Sequence, residues 1–223
     1  AVMNALGYGV NLLDKEKCCG VAMIANGLTD GAKKHAEHNV LVLQKAVDKN
    51  LKILTTSSTC VLTMRDEYND LLKIDNSGVR DSLLLATKFI YSLIDSGKVK
   101  LAFKKDYKAN IAYHTPCHLE KLGWGIFSVS LLKMIPGVKF TMLDSNCCGI
   151  SGTYGFKKEN YEVSQAIGKP LFDQIGQVAP DFVACDCETC KWQIEMSTGK
   201  TVKNPISVLA EALDLEATRK LNI

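Results

Sequence analysis

No apolar run in this chain approaches the roughly 20 residues that a membrane-spanning helix needs. The nearest, "SLLLATKFIYSLI" at 82–94, is short and carries Lys88. A strong charge of either sign is also lacking. The net charge is +3, and the paired lysines at 33–34, 104–105 and 157–158 are scattered among acidic residues, so no basic tract points to nucleic acid. There is no dinucleotide fingerprint, phosphate loop or nucleophile elbow, which removes the common signatures of a substrate pocket. The opening "AVMNALGYG" has no initiating methionine and no basic flank before an apolar core, and reads as a cut rather than a signal peptide.

What the chain does have is cysteine. Nine of its 223 residues are cysteines, with 47% hydrophobic and 23% charged residues to build a globular core around them. The number is odd and the spacing clustered, which suits metal binding in a reducing cytoplasm better than a disulfide framework.

Two stretches repeat one another. "LDSNCCGISGTYG" at 143–155 is answered by "NLLDKEKCCGVAMIANG" at 11–27, with Asp14, Cys18, Cys19 and Gly20 matching Asp144, Cys147, Cys148 and Gly149. Adjacent side chains diverge on a helix or strand, so two neighbouring thiols serve one site only where the backbone bends, and glycine permits that bend. From there Cys60 matches Cys190, while Ser57 stands opposite Cys187. This is an internal duplication, divided at 1–105 and 106–223, with one cysteine missing from the first copy.

Apolar runs at 51–57, 109–115, 138–144 and 181–186 alternate with helical patterns at about 29–49, 60–73, 78–96, 118–134, 157–176, 187–197 and 205–215. The pattern predicts two tandem α/β halves with mostly parallel strands and cysteine motifs at strand ends, where open α/β sheets build sites. The stripe of Leu83, Leu84, Leu85, Phe89, Ile90, Leu93 and Ile94 reads as one helical core face.

In the second half Cys117, Cys147, Cys148, Cys187 and Cys190 form the candidate metal site. Several converging thiolates suit iron and sulfide better than one ion, with tetrahedral zinc as the alternative. His114 and His118 flank Cys117 and could be ligands, since imidazole binds iron and zinc, but are expected rather to orient the loop or to donate hydrogen bonds to sulfur. Cys185 reads as a small buried strand residue. Asp14 and Asp144 are expected to brace the turns through their side chains, and His35 and His38 to face solvent. Trp124 and Trp192 follow the cysteine motifs, as shields for the site or as core.

The order Cys117, Cys147–Cys148–Gly149, Cys187 and Cys190 resembles the cysteine-rich CCG domain family, which includes the heterodisulfide reductase B subunit and iron–sulfur subunits of glycolate and lactate oxidation. The resemblance covers nearly the whole chain. It implies an electron-transfer subunit that holds a 4Fe–4S cluster of non-cubane type through those five cysteines. Electrons would come from a flavoprotein partner and go toward quinone at the inner face of the cell membrane, with no substrate turned over by this chain alone. A catalytic reductase acting on disulfides and a zinc module that docks partners are the alternatives. The first half, with only Cys18, Cys19 and Cys60, falls short of the family pattern.

Overall fold

The architecture follows from parallel strands whose central pair is too apolar to face water. In a computed structural model of residues 1–223, β3 (Ala109–His114), β4 (Val138–Met142), β5 (Phe182–Cys185) and β6 (Val202–Lys203) form one sheet in the order β4-β3-β5-β6. Alternate residues point to opposite faces of a strand, and here both faces are covered. Ala112 and Val183 pack with Leu171, Ile175 and Ile194 on one side. Ile111, Tyr113, Phe182 and Ala184 pack with Val129, Leu132 and Val208 on the other. A parallel sheet buried on both faces is the expected partner of strands reading as nearly continuous apolar runs.

The first half is smaller. β1 (Ile53–Thr55) pairs in parallel with β2 (Leu83–Leu85) alone. The helices are α1 (Val2–Ala5), α2 (Val21–Ala25), α3 (Thr29–Val47), α4 (Ser58–Leu62), α5 (Tyr68–Asp70), α6 (Ser77–Arg80), α7 (Ala86–Asp95), α8 (Cys117–Leu122), α9 (Gly125–Lys133), α10 (Tyr161–Val178), α11 (Glu188–Thr198), α12 (Pro205–Ala212) and α13 (Leu215–Asn222). A π-helical turn, Thr63–Glu67, joins α4 to α5. The units β1-α4-β2-α7 and β5-α11-β6-α12 correspond, and α3 and α10 each follow a doubled cysteine. No helix is long and apolar enough to cross a membrane.

The fold class matches the reading from sequence, with differences in detail. The apolar stretch 82–94 is not one helix. Leu83 and Leu85 are buried on strand β2, whereas Ile90 and Leu93 are buried on α7. Three leucines in a row satisfy both a strand and a helix pattern, and pairing with β1 decides between them. The expected helix 118–134 is broken at Gly123, which adopts φ 67°, and the expected helix 205–215 ends at Ala212. β6 and α13 had no signal strong enough to be read.

The halves are joined by polar contacts buried between them. Asp186, fully buried, accepts hydrogen bonds from Tyr113 Oη at 2.6 Å and Ser128 Oγ at 2.9 Å, and Ser128 Oγ in turn accepts from the Thr87 hydroxyl of α7 at 2.9 Å. Its main-chain carbonyl accepts from Ser58 N–H at 2.8 Å, across from the end of β1. Burial lifts the Asp186 carboxyl to about 7, against the two hydrogen bonds that stabilise its anion. An acid whose folded value lies above its unfolded one, about 3.9, contributes stability below that unfolded value and loses it as pH rises through about 7. Asp186→Asn, which cannot ionise, should therefore gain on the wild type between pH 5 and pH 8 by about 1–3 kcal/mol, the cost of an undercompensated buried polar group. Paired urea denaturation curves measure the difference, and a constant offset across that range would exclude Asp186 titration.

Candidate metal centre

The sheet places the cysteines before any ligand is considered. The chain runs from β3 to β4 on one side and returns across β3 to β5, so the order reverses between β3 and β5. Loops leaving the carboxyl ends of those two strands part there and leave a crevice. Cys117 begins α8 after β3, and Cys187 caps the N-terminus of α11 after β5. Cys147 and Cys148 arrive from the loop after β4.

That last loop works because of Gly149. Its φ is +89°, and a Cβ there would lie 2.0 Å from the Ser164 carbonyl oxygen. The first half repeats the corner: Gly20 has φ +91°, but its nearest neighbour, Ala32, would be 3.6 Å from an added Cβ. The long helix behind each corner holds it. Ser164 Oγ on α10 donates to the Gly149 carbonyl at 2.9 Å, and Gln174 Oε1 accepts from Asp144 N–H at 3.0 Å. On α3, His35 Nδ1 lies 3.1 Å from the Cys18 carbonyl, His38 Nε2 lies 2.6 Å from that of Lys15, and Asn39 bonds both the N–H and the carbonyl of Lys17.

Two expectations change here. His35 and His38 are half-buried struts of the cysteine loop rather than solvent-facing residues, because α3 packs directly beneath that loop. The turns are braced by α3 and α10 and not by the side chains of Asp14 and Asp144. Asp144 takes part through its main chain, donating to Gln174 and accepting from Asn146 N–H.

The five candidate cysteines of the second half lie together, with the sixth, Cys185, beside them. Cys148 Sγ donates to Cys190 Sγ at 3.2 Å, and the Cys147 thiol is pushed up by neighbouring Cys148 and by burial. Neighbouring Cys190, with the hydroxyls of Thr189 and Thr59, holds Cys187 down at about 5 in spite of burial. Cys117 is pushed up by burial and by the neighbouring charges of Cys147 and Cys187. Cys117 and Cys147 reach the surface, whereas Cys148, Cys187 and Cys190 are buried.

The first half supplies a wall. Thr59 Oγ1 lies 3.3 Å from Cys187 Sγ and 2.9 Å from His118 Nδ1, so His118 meets sulfur through a hydroxyl from the other half. Nearby, Cys19 beside Cys60 is pushed up and Cys60 is pushed down, with Ser57 lowering Cys60 further. Cys18 is exposed. Asn26 Nδ2 on one cysteine loop donates to Thr153 Oγ1 on the other at 2.8 Å. Trp124 is buried beneath Lys88 Nζ, 3.8 Å from the ring centroid, while Trp192 is 55% exposed and packs on Phe156.

Thr59, Asn39 and Ser164 gave no sequence signal, since nothing in their spacing separates a buried strut from a surface hydroxyl or amide. Cys185 had one: it makes the run Cys-x-Cys-x-x-Cys at 185–190. It is buried, as read, but it also faces the site.

The arrangement is a set of clustered thiols at a sheet switch point, built twice with unequal completeness. A model of the cysteine-rich CCG domain matches residues 1–65 and 111–195, and the chain belongs to that family. It is 54% identical over 213 residues to the C subunit of anaerobic glycerol-3-phosphate dehydrogenase from Escherichia coli K12, covering 95% of this chain and 53% of the relative. It is 27% identical over 219 residues to the B subunit of fumarate reductase (CoM/CoB) from Methanothermobacter marburgensis, covering 96% and 41%. An uncharacterized iron–sulfur protein of Methanococcus maripaludis is 28% identical over 207 residues, covering 91% and 38%. The chain thus spans about half or less of the length of these relatives.

The two corners make separable demands. Gly20→Ala imposes only the left-handed penalty of about 1–2 kcal/mol. Gly149→Ala adds a main-chain overlap and should cost about 3 kcal/mol or more. Thermal and urea unfolding of the two variants should rank them in that order, and equal losses would refute the packing at Ser164.

Proposed function

We propose that this chain is the electron-carrying part of an iron–sulfur subunit, of the kind named by its 54%-identical relative. In that reading Cys117, Cys147, Cys148, Cys187 and Cys190 hold a 4Fe–4S cluster of non-cubane type. The observation that carries it is the linked group of five sulfurs at one end of the sheet, two open to the surface and three buried. A donor set of this kind, all sulfur and more numerous than a tetrahedral ion requires, fits iron and sulfide. When bound, such a cluster would supply one-electron storage. The protein's own contribution is to set the hydroxyls of Thr59 and Thr189 against Cys187 Sγ, which favours its anionic form. It also places Cys117 and Cys147 where a partner can approach.

The division at 105/106 belongs to this proposal, supported by the closure of each sheet within its own half. So does a partner flavoprotein that oxidises glycerol 3-phosphate, with electrons passing on to quinone at the inner face of the membrane. Oxidising an alcohol carbon by hydride removal calls for an organic cofactor, and this sequence carries no motif for one.

Anaerobically prepared protein should contain iron and sulfide, and Cys147→Ser or Cys148→Ser should remove most of the visible absorption. Stoichiometric zinc without iron would overturn the cluster and favour a docking module. A change in that absorption on adding a disulfide would favour a catalytic reductase instead.

The first half should behave differently, because Ser57 stands where Cys187 stands in the second. Cys18→Ser or Cys19→Ser should leave the iron content nearly unchanged, by metal analysis after the same preparation. Equal loss of iron from substitutions in both halves would place metal on Cys18, Cys19 and Cys60 as well. Stopped-flow mixing with the partner flavoprotein and glycerol 3-phosphate should bleach the visible band only when the partner is present.

A further inference from the structure

Behind the five cysteines lies a second group of donors. His114 ends β3 and Cys185 ends β5, and the two are register partners on adjacent strands. They share a face with Ala112 and Val183, the face against which Cys148 and Cys190 pack. One donor atom each from His114, Cys185 and Cys190 lies within 4.8 Å of the others, all three residues buried. Cys148 Sγ stands 3.2 Å from Cys190 Sγ, at the edge of that group.

His114 is the reason to look further. It is 1% exposed, and neither Nδ1 nor Nε2 has a hydrogen-bond partner. An unsatisfied buried polar group costs about 1–3 kcal/mol, and an apolar side chain of similar size would avoid that cost. Cys185 Sγ has a long contact, 3.7 Å, to the Cys187 carbonyl and lies beside Cys190. We infer that His114, Cys185 and Cys190 form the buried end of the metal centre, where an imidazole nitrogen and two sulfurs take one soft divalent metal ion. Around a tetrahedral ion with metal–donor lengths of about 2.0–2.3 Å, donors stand roughly 3.5 Å apart. The three donor atoms, all within 4.8 Å of one another, lie close to that spacing.

The inference deepens the iron–sulfur reading by adding nitrogen and a sixth cysteine to the centre. It rests on that reading only in treating the cysteines as metal ligands. Ferrous iron belonging to a cluster and a lone zinc-like ion share this donor chemistry, so the test has two arms. In the first, thiol-reduced protein is titrated anaerobically with Co²⁺ alone and followed by the thiolate charge-transfer and four-coordinate d–d bands. Wild type should bind one equivalent. Cys185→Ser and His114→Gln should each weaken binding on the order of tenfold or more, a loss at least that of removing a residue that merely orients a ligand. Cys117→Ser should bind nearly as wild type does. Unchanged binding by the first two variants, with loss in the third, would overturn the inference.

The second arm reads the ligand directly and does not depend on the first two variants folding. Protein labelled with ¹⁵N-histidine, loaded with Co²⁺ or with iron and sulfide, is examined by pulsed electron paramagnetic resonance, alongside His118→Gln. A directly bonded ¹⁵N coupling that persists in His118→Gln supports ligation by His114, and its presence in the iron form puts that imidazole on cluster iron. No coupling in either form overturns it. If iron and sulfide are not taken up at all, the cluster reading fails while the cobalt arm still tests this one.

Discussion

The parallel register of β3 against β5 is the constraint on which the rest of the site depends. It sets Tyr113 beside Ala184 and His114 beside Cys185, and the reversal of strand order sends the two following loops to opposite sides of the sheet. Cys117 and Cys187 are then the first cysteines past the divide. A slip of one residue would turn His114 and Cys185 to the other face, away from Cys148 and Cys190, and would part Tyr113 from Asp186. The apolar side chains that fill both faces hold the register, so the geometry of the thiols is paid for by packing that never touches them.

Much of this was legible because cysteine and glycine are rare enough for their spacing to carry information. The doubled cysteine before glycine announced a bend, its repetition announced two halves, and the alternation of apolar runs with helical patterns gave the parallel α/β class. The struts were not legible. Asn39, Ser164 and Thr59 act through contacts spanning 15 to 128 residues of sequence, and such distances leave no periodic trace. The leucine run at 83–85 failed for another reason: its pattern fits a strand and a helix equally, and only pairing with β1 resolves it. Histidines 35 and 38 followed the polar spacing of a surface helix, which says nothing of a loop lying across that surface.

The two halves show how far one exchange can reach. Both corners keep the same left-handed glycine and a long helix behind it, and both α4 and α11 begin at the residue that caps a cysteine turn. In the second half that residue is Cys187, a thiol lowered to about 5. In the first it is Ser57, whose hydroxyl serves to lower Cys60 instead. A hydroxyl and a thiol occupy nearly the same space, so the backbone has kept its shape while the number of sulfurs on offer differs.

The Thr59 hydroxyl has only one proton to give, and it lies between His118 Nδ1 and Cys187 Sγ. While Cys187 is an anion or a metal ligand, the proton belongs to the sulfur side, and Thr59 must accept from Nδ1–H. His118 is then fixed in the tautomer that leaves Nε2 bare. Were Cys187 to take up a proton and donate to Thr59, the hydroxyl would turn toward a bare Nδ1 and the imidazole would carry its hydrogen on Nε2. The charge on one sulfur is thereby written into the orientation of a ring on the neighbouring helix, through a side chain supplied by the opposite half of the molecule.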